Sequence, residues 1–224
     1  MIDLQDISII YGKGESQYKA LKKINLHIDE GEFVTITGKS GCGKTSLLNI
    51  LGSIKKPDEG RYCFEGQDVY GMSDRKIEEF RNKNVGFIVQ HFALIPEKNV
   101  WDNVAMPLAY RSGIRKKYDK EIMSILEELE IKDKRNHYPD QLSGGECQRV
   151  AIARALIADT KIILADEPTG ALDEENGYNI MRILQELNAK GKTIIMVTHD
   201  MELAKYGTHR IKMRDGKIEE EQAV

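Results

Sequence analysis

The sequence has few of the features that mark secreted, membrane-spanning or zinc-dependent proteins. Its three cysteines are an odd number without paired metal-ligand spacing, which fits reduced thiols better than disulfides or structural zinc. The first residues include acids where a secretory signal has a basic start, and no apolar run approaches the ~18 residues of a membrane span. We therefore expect a cytosolic chain.

The sequence also lacks a large net charge. Its 33 basic and 36 acidic residues give a formal net charge of −3, so a general electrostatic grip on a nucleic-acid backbone is not favoured and no nucleic-acid partner is expected. This balance does not exclude a local basic patch. The 224 residues contain no evident repeat or low-complexity linker, and this length suits one large domain or a core carrying small subdomains.

A glycine-rich segment at residues 38–45 predicts a phosphate-binding loop. It has the spacing of a glycine, four residues and Gly-Lys-Thr, between a β-prone run at 33–37 and a segment that can open a helix. Inward-pointing N–H groups and the helix N-terminus favour phosphate there. We expect Lys44 to reach the β and γ phosphates and the Thr45 hydroxyl to bind Mg²⁺. The nucleotide-binding residues are Gly38, Lys39, Ser40, Gly41, Cys42, Gly43, Lys44, Thr45 and Ser46.

An apolar run at residues 162–165 ends in two adjacent carboxylates, Asp166 and Glu167. Ligands of open parallel sheets bind at the carboxyl ends of the strands, so both acids are candidates for the same site. We expect Asp166 to support Mg²⁺ through water. Glu167 is the candidate general base that polarises the attacking water, a role worth about 10²–10⁴-fold in rate.

The segment Leu-Ser-Gly-Gly-Glu at residues 142–146 opens another helix and allows two interpretations. Ser143 and Glu146 have the spacing of a capping box, which needs no ligand. The Gly144-Gly145 pair lets a backbone approach closely, and the helix N-terminus would then be a second anion site. A second anion site in one chain suggests two copies that share nucleotides.

Together, residues 38–45, 142–146 and 162–167 resemble the Walker A, signature and Walker B motifs of ATP-binding cassette proteins. The resemblance extends over residues 2–218, and Leu-Ser-Gly-Gly is its most specific part because kinases and GTPases lack it. It implies an ATPase that uses ATP and Mg²⁺. It also implies a head-to-tail dimer, in which each ATP lies between one phosphate loop and the other copy's Ser143 and Gly145.

The same resemblance gives roles to four further residues, each of which also has an ordinary structural interpretation. Tyr11 would stack on adenine, or is a strand-end tyrosine. Gln90 would meet Mg²⁺ and the attacking water, or is a surface amide. His199 would contact the γ-phosphate, and Asp173 would bridge the two sites of a dimer; otherwise they are a structural histidine and a helix N-cap. Glu146 stands where glutamine is commonest, which does not indicate inactivity.

The fold implied by these patterns is α/β, a P-loop NTPase core with a mostly parallel sheet. Alternating strands at residues 3–10 and 24–28 predict an N-terminal antiparallel β subdomain. Apolar residues at helical spacing predict a helical insertion over approximately residues 91–160 within a single domain, 1–224. Residues 210–218 have the pattern of a final hairpin.

Because the sequence contains no membrane span, the transmembrane permease of such an ATPase is expected on a separate chain, with this subunit peripheral on the cytoplasmic face of the cell membrane. Large apolar residues at 92–101, including Trp101, either form a groove for a coupling helix or pack the helical insertion. The segments after Gln90 and after Glu167 resemble the macrolide-exporter and lipoprotein-release branch, which includes antimicrobial-peptide and resistance transporters.

Two rivals remain. One is a soluble cassette ATPase acting on ribosomes or DNA, but those proteins usually carry two cassettes or a long coiled-coil insertion. The other is a non-hydrolysing scaffold, which the presence of Glu167 and His199 disfavours.

Overall fold

The computed structural model describes residues 1–110 and 115–223, which form two β-sheets flanked by helices. The strands are β1 Ile2–Tyr11, β2 Tyr18–Ile28, β3 Phe33–Thr37, β4 Glu59–Phe64, β5 Gln67–Asp68, β6 Val85–Val89, β7 Ile162–Asp166, β8 Thr193–Val197, β9 His209–Arg214 and β10 Lys217–Ala223. The α-helices are α1 Lys44–Leu51, α2 Asp74–Asn84, α3 Val100–Ala105, α4 Arg115–Glu128, α5 Gly144–Leu156, α6 Glu174–Ala189 and α7 Met201–Ala204.

The smaller sheet is antiparallel, with strand order β2-β1-β4-β5. Its long hairpin pairs Ile2 with Ile28 at one end and Tyr11 with Tyr18 at the other. Along residues 24–28 of β2, buried apolar residues alternate with exposed polar ones, because one face of the strand packs on the core. The predicted N-terminal antiparallel sheet is therefore confirmed.

The larger sheet has the order β10-β9-β3-β8-β7-β6, and all of its pairs are parallel except β9 with β10. Strands β3 and β8 are buried at every position. Such continuous burial accounts for the largely apolar composition of both strands, since both faces of a parallel sheet are covered. One core joins this sheet to α1 and the antiparallel sheet, and the other joins it to α3–α6.

Helices α3, α4 and α5 lie between β6 and β7 in the chain, in the segment where the sequence predicts a helical insertion; residues 111–114 of that segment lie outside the described residues. Ile122, Leu126 and Leu129 are buried there, and Ile125 packs against the same core. Trp101 is 6% exposed and its indole N–H donates to Asp119 at 2.9 Å, so it packs within these helices. None of the described helices combines the length and the apolar character that crossing a membrane requires.

Candidate active site

Four neighbouring parallel strands end at the same edge of the larger sheet, and each is followed by a segment that the sequence assigns to the site. The phosphate loop follows β3, His199 follows β8, Glu167 follows β7 and Gln90 follows β6. A cavity of about 560 Å³ lies at this edge. Its lining includes the predicted residues Ser40, Gly41, Gly43, Lys44, Thr45, Ser46, Gln90, Asp166, Glu167 and His199.

Glycine is required at two positions of the phosphate loop. Gly38 and Gly43 have φ of 148° and 108°, in the region that favours glycine. A Cβ at Gly38 would lie 2.3 Å from the Met213 carbonyl oxygen, and one at Gly43 would lie 2.6 Å from the Ala20 carbonyl oxygen. The loop is thus seated directly on neighbouring backbone. Of its other predicted members, Lys39 and Ser40 are exposed, whereas Cys42 is buried.

Lys44 folds back over the phosphate loop. Its Nζ donates to the carbonyl oxygens of Gly38 at 2.6 Å and Lys39 at 3.1 Å. The ammonium therefore lies against the loop that precedes the N-terminus of α1. A positive side chain and the positive end of a helix dipole at one place are electrostatically complementary to phosphate.

The hydroxyl of Thr45 donates to Asp166 Oδ2 at 3.2 Å, which joins the phosphate loop to the end of β7. Burial raises the pKa of the Asp166 carboxyl, as does the nearby charge of Glu167, while the Thr45 hydrogen bond and Lys44 oppose the shift. These two oxygens fit Mg²⁺, which uses one or two protein oxygens together with phosphates and waters. Among the described residues no group of three or more His, Cys, Asp and Glu side chains offers a complete metal site.

Glu167 and His199 form a pair at the ends of β7 and β8. The Glu167 Oε2 atom lies 2.9 Å from His199 Nδ1, and the Glu167 N–H donates to the Val197 carbonyl at 3.0 Å. Glu167 adopts a φ of 49°, which turns its backbone out of the strand direction. Asp166 and Glu167 consequently have different partners although they are adjacent. Glu167 is a carboxylate held by an imidazole at the cavity wall.

Gln90 lines the same cavity and passes close to Gly170, where a Cβ would lie 2.9 Å from the Gln90 Nε2 atom. A side chain at position 170 would therefore displace the amide. Sequence reasoning did not identify Gly170, because its role depends on a contact between segments far apart in the chain.

Tyr11 and Tyr18 form an aromatic pair at the open end of the β1–β2 hairpin. Their ring centroids are 5.7 Å apart and the rings are inclined by 27°. Tyr11 accepts a hydrogen bond from the Ser46 hydroxyl at 3.4 Å. Tyr18 lines the cavity and is 60% exposed. Sequence reasoning missed Tyr18; the hairpin pattern held a signal for it, since residues that flank a hairpin loop become cross-strand neighbours.

The remaining predicted site residues, Ser143, Gly145 and Asp173, are not among the described residues that line this cavity. Ser143 is exposed and forms both hydrogen bonds of a capping box with Glu146. Asp173 caps α6 by accepting from the Asn176 N–H at 2.9 Å. A Cβ at Gly145 would lie 2.5 Å from Asn176 Oδ1, so the signature segment and the start of α6 pack together. The two predicted anion sites therefore occupy different surfaces of one chain.

The family model described as ABC transporter matches residues 21–170. An uncharacterized ABC transporter ATP-binding protein of Methanocaldococcus jannaschii is 50% identical over 220 residues, which cover 98% of each chain. A macrolide export ATP-binding/permease protein, MacB, of Chlorobaculum tepidum is 46% identical over 218 residues. That match covers 97% of this chain but 33% of the relative, so the chain spans about a third of the length of that MacB protein.

Solved structures agree with these relatives. The dimeric, post-hydrolysis structure of the ATP-binding cassette MJ0796 of Methanocaldococcus jannaschii, bound to ADP and Pi, superposes with a TM-score of 0.89 at 43% identity. The match covers 100% of this chain and 98% of that chain. The predicted α/β fold with a mostly parallel sheet is confirmed.

Proposed function

The chain belongs to the ABC transporter family and is an ABC-type ATP hydrolase, and from that premise we propose how it works. Two copies close head to tail around two MgATP and drive a transmembrane permease carried on a separate chain. The assembly acts in export, lipoprotein release or antimicrobial-peptide transport, with this subunit peripheral on the cytoplasmic face of the membrane. The MacB relatives support this branch, and a soluble ATPase acting on ribosomes or DNA is the alternative.

The observation that carries the proposal is the cluster in which Thr45 meets Asp166 and Glu167 meets His199 around one cavity. The phosphate loop and Lys44 bind the triphosphate, whose charge their donors complement. Thr45, Asp166 and Gln90 are the residues that would hold Mg²⁺, which would neutralise negative charge on the phosphates.

Glu167 then acts as the general base. Its carboxylate polarises a water for attack on the γ-phosphorus, a role that contributes about 10²–10⁴-fold to the rate. His199, fixed at 2.9 Å from the carboxylate, orients Glu167 and extends to the γ-phosphate. Gln90 couples the presence of nucleotide in the site to the residues that follow it in the chain. Ser143, which is exposed, and Gly145 complete the site of the second copy, with Asp173 bridging the two sites, as the dimeric relatives support.

A second cavity supports the permease as partner. It has a volume of about 470 Å³ and is mostly apolar, with Phe87, Ala93, Met106 and Pro107 in its wall. Arg154, also in its wall, donates to the carbonyl oxygens of residues 92 and 93, only a few positions after Gln90. A short segment, held by Arg154, thus links the nucleotide cavity to this groove. An amphipathic helix of the permease fits a groove of this character. Trp101 is buried outside it, so we assign Trp101 to packing.

The dimer is tested with Glu167→Gln, which keeps the shape of the side chain and removes the base. We expect it to bind MgATP, to lose turnover by about 10²–10⁴-fold and to elute as a dimer in ATP on gel filtration. Glu186→Gln, at an exposed position of α6, is the matched control and should behave as wild type. A Glu167→Gln protein that stays monomeric in saturating ATP contradicts the proposed sandwich.

The partner is tested by purifying the tagged chain from detergent-solubilised cells of its native host. Co-isolation of an integral membrane protein, lost on Met106→Glu in the groove, supports the permease. Recovery on ribosomes or DNA instead supports the soluble alternative.

A further inference from the structure

The capping box at the start of α5 uses a charged residue where a neutral one would serve. Glu146 Oε2 accepts from the Ser143 N–H at 2.8 Å, and the Glu146 N–H donates to Ser143 Oγ at 3.3 Å. Glutamine forms the same box without a charge. The backbone hydrogen bond from Ser143 is the main cause that lowers the pKa of the Glu146 carboxyl, so Glu146 is anionic at neutral pH.

This charge matters in the proposed dimer, because Ser143 there meets the γ-phosphate of the partner copy's ATP. A carboxylate hydrogen-bonded to the backbone of that same residue repels a phosphate, since like charges at short range disfavour each other. The helix dipole of α5 attracts both anions and does not remove this repulsion. A cation beside Glu146 would offset this repulsion.

Lys134 is that cation. It ends the 3-10 helical turn Lys132–Lys134, and its Nζ lies 3.3 Å from Glu146 Oε1. The two carboxylate oxygens of Glu146 therefore have different partners: one accepts from Ser143 in the capping box, and the other contacts Lys134. Both side chains are partly sheltered, at 30% and 28% exposure, and the nearby Asp133 carboxylate is farther from Nζ, at 3.8 Å.

The backbone holds Lys134 at this position. Its N–H donates to the Ile131 carbonyl, and its carbonyl accepts from the His137 N–H at 2.8 Å. The nearest cation on α5 itself, Arg149, is directed to the Leu129 carbonyl and the Glu130 carboxylate.

We propose that Lys134 is a positioning residue of the signature segment: it neutralises Glu146 and so lets the segment accept the partner's γ-phosphate. This inference rests on the head-to-tail dimer of the proposed function. It explains how this chain tolerates Glu146 where glutamine is commonest: the charge of Lys134 offsets the added negative charge.

The test uses the Glu167→Gln protein as parent and measures the dissociation constant of the dimer in saturating MgATP by analytical ultracentrifugation. Adding Lys134→Gln should raise that constant about tenfold, because a threefold loss at each of two sites multiplies. Adding Glu146→Gln as well should restore the parent value within about twofold, since the box survives and the charge is gone. Lys132→Gln, in the same turn, is the control and should leave dimerisation unchanged.

Binding of MgADP to the monomer, which uses the chain's own phosphate loop, should be equal in all four proteins. The inference is overturned if Lys134→Gln dimerises like the parent. It is also overturned if the added Glu146→Gln gives no rescue, because Lys134 would then serve only to hold its turn. If the Glu167→Gln parent itself never dimerises, the proposed function fails and this inference with it, and the parent sample alone identifies that outcome.

Discussion

Helices α1 and α5 both begin at predicted anion sites, yet their N-termini are built in opposite ways. Helix α1 follows Gly43; none of the described side chains caps it, and its first turn contains no acidic residue. Helix α5 follows Ser143, is closed by a reciprocal capping box and has Glu146 in its first turn. The first four N–H groups of any helix lack partners within the helix. Helix α1 therefore leaves its N-terminal N–H groups open to a bound anion, whereas α5 supplies its own acceptor.

In the proposed dimer, this difference would let one chain carry two halves of an ATP site, one for each of the two shared sites. The α1 half has its cation, Lys44, and its carboxylates, Asp166 and Glu167, around one cavity of a single chain, so we expect it to bind nucleotide without a second copy. The α5 half needs no ligand when the chain is alone, because the capping box supplies hydrogen-bond acceptors at the start of the helix. Its Ser143 is exposed. Its Ser143 Oγ accepts from Glu146 and keeps its own proton for a further acceptor.

The largest effect is expected from Lys44→Ala, which removes the cation of the α1 half. ATP affinity should fall at least about tenfold, as for the loss of a charge-assisted hydrogen bond, and turnover by about 10²–10³-fold or more. Isothermal titration and phosphate release measure the two quantities. Lys76→Ala, at an exposed position of α2, is the control and should leave both unchanged. Normal hydrolysis by Lys44→Ala would contradict the assignment of Lys44 and its loop to the phosphates of ATP.

Asp166→Asn should separate stability from function. Because burial raises the pKa of Asp166, its ionised form is disfavoured in the fold at neutral pH, and that penalty disappears as the pH falls through the folded-state pKa. The amide avoids the penalty, so the Tm without nucleotide should rise at pH 7 and change little in acid.

Turnover of the same Asp166→Asn protein should fall by about 10–100-fold, as for loss of a group that supports a metal through water. Asp215→Asn, at an exposed turn, is the control for both readouts. A lower Tm for Asp166→Asn at pH 7 would contradict the assigned burial effect.

Ser143→Ala should affect only the α5 half. The lost cap should lower the free energy of unfolding by about 0.5–2 kcal/mol, measured in urea. Steady-state turnover should fall roughly tenfold because the partner's ATP loses one donor, while MgADP binding to the monomer stays unchanged. Ser143→Thr keeps a hydroxyl and should retain most of the activity. If Ser143→Ala weakens MgADP binding to the monomer, the α1 half and the α5 half do not act independently within one chain.

The smallest effect is expected from Tyr18→Ala, which removes the cavity-lining member of the aromatic pair. ATP affinity should fall roughly five- to tenfold, at the low end of the 1–3 kcal/mol that base stacking contributes. Affinity for inorganic tripolyphosphate should not change. Tyr11→Ala, measured beside it, shows which ring contacts adenine. Unchanged ATP binding by both variants would show that neither tyrosine of this hairpin contacts adenine.

Motifs whose chemistry is local were readable from the sequence. The phosphate loop, the capping box of Ser143 and Glu146, and the N-cap of α6 at Asp173 each depend on residues within a few positions. Buried strands were readable too, since an apolar run of strand length has few alternatives in an α/β pattern. The sequence therefore determined which residues are equipped to bind phosphate, and that α5 begins with a charged capping box.

Only the tertiary structure decided which of these residues meet. Thr45 reaches Asp166 across 121 positions, and Glu167 reaches His199 across 32, because the sheet order places β8 between β3 and β7. The same is true of the Lys134 contact with Glu146, which depends on how a short turn packs against α5. No local pattern encodes strand order or the approach of separate segments. These contacts arise from the packing of the whole core.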